Sequence, residues 1–444
     1  MQARKKPYNP ARYLIGGFAA VILAGSLLLS LPAATKAGEI SYLDALFTAT
    51  SAVCVTGLVV VDTGTFFTPF GQAVIMLLIF IGSLGFMTVA TLAFIFLGRR
   101  ISLRDRLVVR EALNQESISG LLPLVIAIVR MALLFVITGA ALLAVRFVPA
   151  LGWTEGLFFS LFHSVSAFGN AGFDLFGNFA SLTGNPTDYL VNGTIMGLFI
   201  VGGLGFTVIF DLAKCGRRGC RVTLHTRMVL IITTVLLLVG TGAILALESA
   251  NPATMARLSP GDKIFTALFT AATPRTAGFN VLNTGAHYPA TLFIMMALMF
   301  IGASPGSTGG GVKTTTFGTV VIAIVALIRG RREPVLFQRR LPLEQIFKAV
   351  AIIGGAATLV FATTLVLTIF EKQPFIELLF EAFSAFGTVG LSTGITPDLS
   401  APSKVALIVT MFAGRLGPLP LALALTKQKC DDGLHYPEEK LMIG

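Results

Sequence analysis

The chain has 444 residues, 55% of them hydrophobic and 12% charged, with a formal net charge of +11. Soluble domains carry roughly 25% charged residues, so composition excludes an ordinary soluble enzyme or nucleic-acid-binding domain. Its apolar runs exceed the roughly 18 residues that mark a membrane-spanning helix, and they lack the short alternating pattern of barrel strands.

Arg4, Lys5, Lys6 and Arg12 precede the first apolar run, Tyr13 to Leu31. That run is long and lacks a small-residue cleavage site, so no cleavable signal peptide is expected. A hydrophobic segment too short to span follows, Tyr42 to Val53, with Ser41 and Asp44 as start signals. A glycine turn and a span over Pro69 to Leu97 complete the first unit, residues 1–110.

The second unit, 111–225, has a span at Leu121 to Val148, a half-helix from Thr154 to Phe168 and a span from Tyr189 to Ala213. The third, 226–340, has a span at Met228 to Leu247, a half-helix from Pro260 to Thr273 and a span from Pro289 onward. Ser259-Pro260-Gly261-Asp262 supplies a cap, a first-position proline and a first-turn acid. The fourth, 341–444, has Leu343 to Phe370, Pro374 to Phe386 and Pro402 to Thr426, then a tail. The expected architecture is therefore an all-α membrane protein of four pseudo-symmetric span–half-helix–span repeats around one pore. Basic residues cluster before the first unit, in the three linkers and in the tail. Lys and Arg accumulate in short cytoplasmic segments, which places both termini in the cytoplasm and brings the half-helices in from outside.

Two glycine markers recur in register, and internal repetition of this kind decides the fold. The first reads Val53-Cys54-Val55-Thr56-Gly57, Phe168-Gly169-Asn170-Ala171-Gly172, Pro274-Arg275-Thr276-Ala277-Gly278 and Phe386-Gly387-Thr388-Val389-Gly390. The second follows each: Gly82-Ser83-Leu84-Gly85, Gly202-Gly203-Leu204-Gly205, Gly302-Ala303-Ser304-Pro305-Gly306 and Gly414-Arg415-Leu416-Gly417. Non-helical backbone at membrane depth needs protein or a water-filled cavity around it. Four such segments can ring one axis, and their carbonyl oxygens can replace the hydration shell of a cation. Glycine permits the positive φ and close approach this needs. The half-helices end at the filter, where their partial negative charge favours a cation. One glycine per strand at the shared position suggests fewer tight sites, and weaker discrimination, than a longer glycine signature.

Three charges stand out. Arg415 lies in the last span, and an intramembrane charge is by default a functional hypothesis. It reads as an electrostatic gate below the filter; the structural alternative is an Arg paired with an acid or with helix carbonyls. Lys313 follows Gly302, Ser304, Gly306, Ser307, Thr308, Gly309, Gly310 and Gly311, a run that cannot continue a helix. That loop reads as a gate, with a static kink as the alternative. Arg275 reads as a brace behind the third filter strand, set against Glu381. A Walker A reading fails because Val312 separates Gly311 from Lys313 and no strand precedes. Asp44, Glu155, Asp262 and Glu377 sit where acids favour helix starts. Cys54, Cys215, Cys220 and Cys430 read as free thiols, since two cysteines without nearby histidines make a poor zinc site. The four histidines are scattered and no nucleophilic triad is present, so no enzyme activity, covalent cofactor or nucleic-acid partner is expected.

These residues resemble the Trk/Ktr/HKT superfamily of K+ transporters over nearly the whole chain, and its KtrB type most. The resemblance implies K+ uptake across a bacterial cytoplasmic membrane, often with Na+ dependence. It implies homodimers with one pore per protomer and a cytoplasmic RCK ring of the KtrA type that carries the regulatory ATP or ADP. The family's gating loop maps onto Gly302–Lys313, its intramembrane arginine onto Arg415, and the dimer-joining C-terminus onto Leu441-Met442-Ile443-Gly444. Asn170 and Arg275 make two filter strands unusual, which bears on selectivity among K+, Rb+ and Na+. The rival reading, a secondary active symporter, predicts inverted repeats and acids central to the spans. Here the four repeats share one orientation.

Overall fold

Four long apolar helices frame the molecule: α1 (Pro10–Leu29), α5 (Leu121–Leu151), α9 (Leu224–Glu248) and α13 (Leu343–Phe370). Each is long and apolar enough to cross a membrane. The computed structural model describes residues 10–85, 88–89, 91, 121–218, 222–331 and 333–417. The basic stretch 99–110, the terminal tail, Cys220 and Cys430 lie outside the described residues.

Each long helix is followed by a short one: α2 (Tyr42–Cys54), α6 (Trp153–Gly169), α10 (Pro260–Ala272) and α14 (Phe375–Gly387). Their starts are written in the sequence. Ser41 Oγ accepts from the Asp44 amide at 3.1 Å, and Ser259 Oγ accepts from the Asp262 amide at 3.3 Å. Such caps satisfy amides that a helix start otherwise leaves orphaned. A single turn, α3 (Thr63–Phe66), lies on the return path of the first unit.

A second helix then follows in each unit, and in the second and third it is broken in two. They are α4 (Pro69–Leu84), α7 (Tyr189–Leu204) with α8 (Phe206–Arg218), α11 (Pro289–Phe300) with α12 (Thr314–Ile328), and α15 (Ala401–Leu416). The sequence suggests one continuous helix over Tyr189 to Ala213. Instead the chain turns by 94° between α7 and α8. Gly205 sits at φ +93° there, and the Phe206 amide donates to Gly306 O at 2.8 Å rather than within a helix. A two-residue hairpin pair, β1 (Val335–Leu336) and β2 (Arg339–Arg340), links α12 to α13.

The packing closes on itself. Each unit's second helix lies against the next unit's short helix: α4 on α6, α7 on α10, α11 on α14, and α15 back on α2. Lys404 Nζ on α15 meets Asp44 Oδ1 on α2 at 2.8 Å across that last seam. The long helices lie outside and expose Leu134, Ile137, Val145 and Leu238, as lipid-facing surfaces do. The short helices are buried, together with the hydroxyls of Thr48, Ser51, Ser164, Ser166 and Ser384. The result is an all-α, multi-pass membrane protein.

Candidate functional site

Three of the four short helices end directly in a left-handed residue, and the chain after α10 reaches one four residues on. Val55 (φ 57°), Asn170 (φ 59°) and Thr388 (φ 50°) follow α2, α6 and α14 in the left-handed region, and Thr276 (φ 72°) follows the turn after α10. That conformation is unusual for any non-glycine residue and an outlier for a β-branched one, so the surroundings must enforce it. One backbone bond does so four times. The amides of Thr56, Ala171, Ala277 and Val389 donate to the carbonyls of Ser51, Ser166, Thr273 and Ser384 at 2.8–2.9 Å. The hydroxyls of the same residues add a second bond. Ser51 and Ser384 Oγ accept from the amides of Gly57 and Gly390 at 3.0 and 3.1 Å. Ser166 and Thr273 donate instead to the carbonyls of Phe173 and Phe279 at 2.6 and 2.5 Å.

Ser384 is fully buried. Its replacement by alanine leaves the Gly390 amide without an acceptor, a loss of about 1–3 kcal/mol. The expected result for Ser384→Ala is a lower Tm of the solubilised protein; an unchanged Tm would show that the amide finds another partner.

The next residues are Gly57, Gly172, Gly278 and Gly390, at φ +90°, +67°, +80° and +91°. They meet around one axis in chain order. A Cβ on Gly57 would lie 3.1 Å from Gly172 Cα, and one on Gly172 would lie 2.9 Å from Gly278 Cα. A Cβ on Gly278 would strike Val389 O, and one on Gly390 would lie 2.9 Å from Gly57 Cα. Val55, Thr56, Ala171, Thr276, Ala277 and Val389 are fully buried beside this ring. Five residues read from the sequence as filter positions, Val53, Cys54, Phe168, Gly169 and Gly387, are the last helical residues before the turn. The irregular strands are thus shorter than the sequence suggested, because the short helices run on to the left-handed residue. Cys54 is a buried free thiol.

Arg275 does not meet Glu381. Arg275 is 8% exposed and its guanidinium donates to Thr233 Oγ1 on α9 at 3.3 Å, while Glu381 accepts from Ser392 and Thr396. Arg275 and Glu381 lie behind different strands, each held by hydroxyls of its own unit.

The second glycine marker also has a physical reason. A Cβ on Gly82, Gly202 or Gly414 would strike the carbonyl of Val53, Phe168 or Phe386, so these helices cross the ends of α2, α6 and α14 at backbone contact. Gly85, Gly205, Gly306 and Gly417 all have positive φ, at 78°, 93°, 66° and 87°. Gly85, Gly205 and Gly417 cap the ends of α4, α7 and α15, whereas Gly306 lies within the loop that follows α11.

In the third unit the chain does not resume a helix until Thr314. Residues 301–313 form a loop closed at its neck, where the Gly302 amide donates to Val312 O at 2.9 Å. The loop is tied to its neighbours all round. Ser304 and Thr308 amides donate to Gly203 and Gly202 carbonyls at 3.0 and 3.3 Å, and the Gly311 amide donates to Gly414 O at 3.3 Å. Thr314 Oγ1 donates to Ser304 Oγ at 3.1 Å, and Lys313 Nζ donates to Gly309 O at 2.7 Å. The Ser307 hydroxyl is buried without a partner among the described residues. Arg415 donates to Thr308 O and to Gly82 O, joining the loop to the break after α4. Its partners are carbonyls, not acids.

Sequence reasoning singled out the four glycines, the loop and Arg415; the structure sets the glycines in one ring and Arg415 against the loop. Sequence reasoning missed Ser51, Ser166, Thr273 and Ser384, although a hydroxyl residue five or six positions before each ring glycine was there to be read.

The comparisons with known proteins converge. The TrkH family model, described as cation transport protein, matches residues 17–434. The chain is 45% identical to the Ktr system potassium uptake protein B of Bacillus subtilis, over 98% of this chain and 97% of that one. It is 38% identical to the potassium/sodium uptake protein NtpJ of Enterococcus hirae, over 99% and 98%. Its fold matches the potassium transporter TrkH of Vibrio parahaemolyticus with a TM-score of 0.74 at 21% identity, covering 96% of this chain and 86% of that one. The chain therefore belongs to the TrkH family of cation transport proteins, and it is a transporter rather than an enzyme.

Proposed function

We propose that this chain is a K+ uptake pore whose four glycine strands form a selectivity filter. The observation that carries the reading is the closed ring of Gly57, Gly172, Gly278 and Gly390, each at positive φ and each against the next strand. That conformation turns backbone carbonyls toward the axis, where they substitute for the water around a cation. The ion-binding residues are Val55–Gly57, Asn170–Gly172, Thr276–Gly278 and Val389–Gly390. α2, α6, α10 and α14 act as pore helices, with their C-terminal dipoles favouring a cation beneath the ring. The names of the Bacillus and Enterococcus relatives support K+ as the ion, and the second supports Na+ as a further cargo or activator.

Residues 302–313 are the gate. They fill the path beneath the filter, and Arg415 adds a fixed positive charge that opposes a cation there. Conduction then requires the loop and the guanidinium to leave the axis. Both termini are cytoplasmic in the bacterial inner membrane, by the basic linkers. A homodimer joined through the tail, and a KtrA-type RCK ring that binds ATP or ADP, complete the assembly.

Rb+ uptake into liposomes holding the purified chain, with excess K+ or Na+ as competitor, tests the reading. Competition by K+ well above that by Na+ is the expected result. Uptake that is absent both with and without a cytoplasmic RCK partner would overturn it.

The outer mouth adds a pH dependence. Burial pushes the Asp174 carboxyl up to about 7, and the nearby Asp62 charge adds to the shift. Asp174 lies two residues after Gly172, in the loop above the second strand. It is neutral below that pH and negative above it, so external alkalinity adds an anion at the mouth. A unit charge acting over roughly 10 Å of water contributes about 0.4 kcal/mol, or about twofold in local cation concentration. Uptake at low K+ should rise by about that factor between external pH 6 and 8. Asp174→Asn should flatten the curve, and a curve of unchanged slope would remove Asp174 from the mouth.

A further inference from the structure

The left-handed residue that begins each filter strand carries a side chain, and in three of the four strands that side chain is polar. Asn170 Nδ2 donates to Thr276 Oγ1 at 3.0 Å, which joins the second strand to the third two residues before Gly172 and Gly278. Asn170 Oδ1 accepts from Thr308 Oγ1 of the loop at 3.0 Å. Thr388 Oγ1 accepts from the Gly310 amide of the loop at 3.0 Å. The loop glycines make room for this contact. A Cβ on Gly309 would strike Thr276 Oγ1, and one on Gly310 would lie 2.9 Å from Thr388 Cγ2. All of these groups are buried. The first strand begins with Val55, which has no polar atom to offer. On that side the loop is held by Arg415, bonded to Thr308 O and to Gly82 O.

The loop is therefore not merely in the way of an ion. It is hydrogen-bonded to the residues whose strained backbone starts the filter. We propose that Asn170 and Thr388 are positioning residues that couple the filter to the loop, so that the ion selectivity of the pore depends on where the loop is. This rests on the pore reading above. Withdrawing the loop takes a donor from Asn170 Oδ1 and another from Thr388 Oγ1. A buried polar atom left without its partner costs about 1–3 kcal/mol, so these side chains turn to find another. Asn170 then releases Thr276, and the second and third strands lose their cross-tie. The coupling is reciprocal by linkage: an ion that fits the engaged filter favours the engaged loop, and an ion that does not fit favours it less. In this protein, selection and gating are one equilibrium.

Two variants test this without touching a carbonyl of the ring. Thr308→Val keeps the loop's shape and removes the hydroxyl. Asn170→Gly removes the side chain and leaves the positive φ unstrained. The measurement is Rb+ uptake into liposomes with Na+ as competitor. Each variant should strengthen Na+ competition by about three- to tenfold. Thr308→Val with Asn170→Gly should do no more than the larger single change, because both cut one chain of bonds. In a chain lacking residues 306–311, Asn170→Gly should alter Na+ competition by less than twofold. Full additivity there would show that Asn170 acts on the filter without the loop and would overturn the proposal. So would normal uptake with unchanged Na+ competition in both single variants. If the unmodified chain shows no preference for K+ over Na+, the pore reading falls, and this proposal falls with it. If the unmodified chain prefers K+ and neither variant changes that preference, only this proposal falls.

Discussion

Serine at Gly278 should reduce the preference for K+ over Na+ at least tenfold. At φ +80° any side chain costs about 1–3 kcal/mol of backbone strain, and the new Cβ would lie 2.9 Å from Gly172 Cα and against Val389 O. Those neighbours belong to the ring, so they cannot give way without moving their own carbonyls. A tenfold change in preference corresponds to about 1.4 kcal/mol, which is within reach of that strain. The measurement is Na+ competition against Rb+ uptake, with Gly184→Ala as the comparison. Gly184 is exposed and a Cβ there meets nothing within 4 Å. Equal competition in Gly278→Ser and the unmodified chain, at normal uptake, would remove the ring from the ion path.

Deleting residues 306–311 should raise K+ flux by tenfold or more. The deleted segment makes at least five bonds that hold the loop in place: from Phe206 N and Arg415, and from Thr308 N to Gly202 O, Gly310 N to Thr388 Oγ1 and Gly311 N to Gly414 O. Net values of about 0.5–1.5 kcal/mol each put the engaged state several kcal/mol below the withdrawn one. A gap of that size leaves the open state far below one-tenth of the population. The chain can be rejoined, since Gly302 and Val312 already pair at the neck of the loop. Equal or lower flux from a normally folded deletion would show that residues 302–313 are no barrier.

Much of this fold was readable because membrane solvation leaves few options. The bounds of α2, α6, α10 and α14 fall within a residue or so of those suggested by Ser41, Thr154, Ser259-Pro260 and Pro374. Caps, proline and the length of an apolar run are local signals, and local signals survive translation into structure. The bend at Gly205 was not readable. Its cause is a hydrogen bond from Phe206 to Gly306 in another unit, which no window along the chain contains. Arg275 was misplaced for a related reason. Charge alone pointed to Glu381, but the geometry of the third turn sends the guanidinium to α9 and Thr233. The ring glycines were legible because four copies repeat. The side chains that join filter to loop were not, since Val55, Asn170, Thr276 and Thr388 share a conformation and not a residue type.

The seam between the fourth unit and the first sets an order on how the protein can be made. Lys404 and Asp44, which meet across it, are 360 positions apart. At about 5–20 residues per second, a ribosome needs roughly 20 s to over a minute to make the distance. Throughout that time α2 lacks the helix that flanks it in the finished fold, and the ring of four strands stays open. Premature termination anywhere before α15 would leave such a gapped ring. The ring therefore closes only when α15 reaches α2, so synthesis of the last helix is the step that completes it.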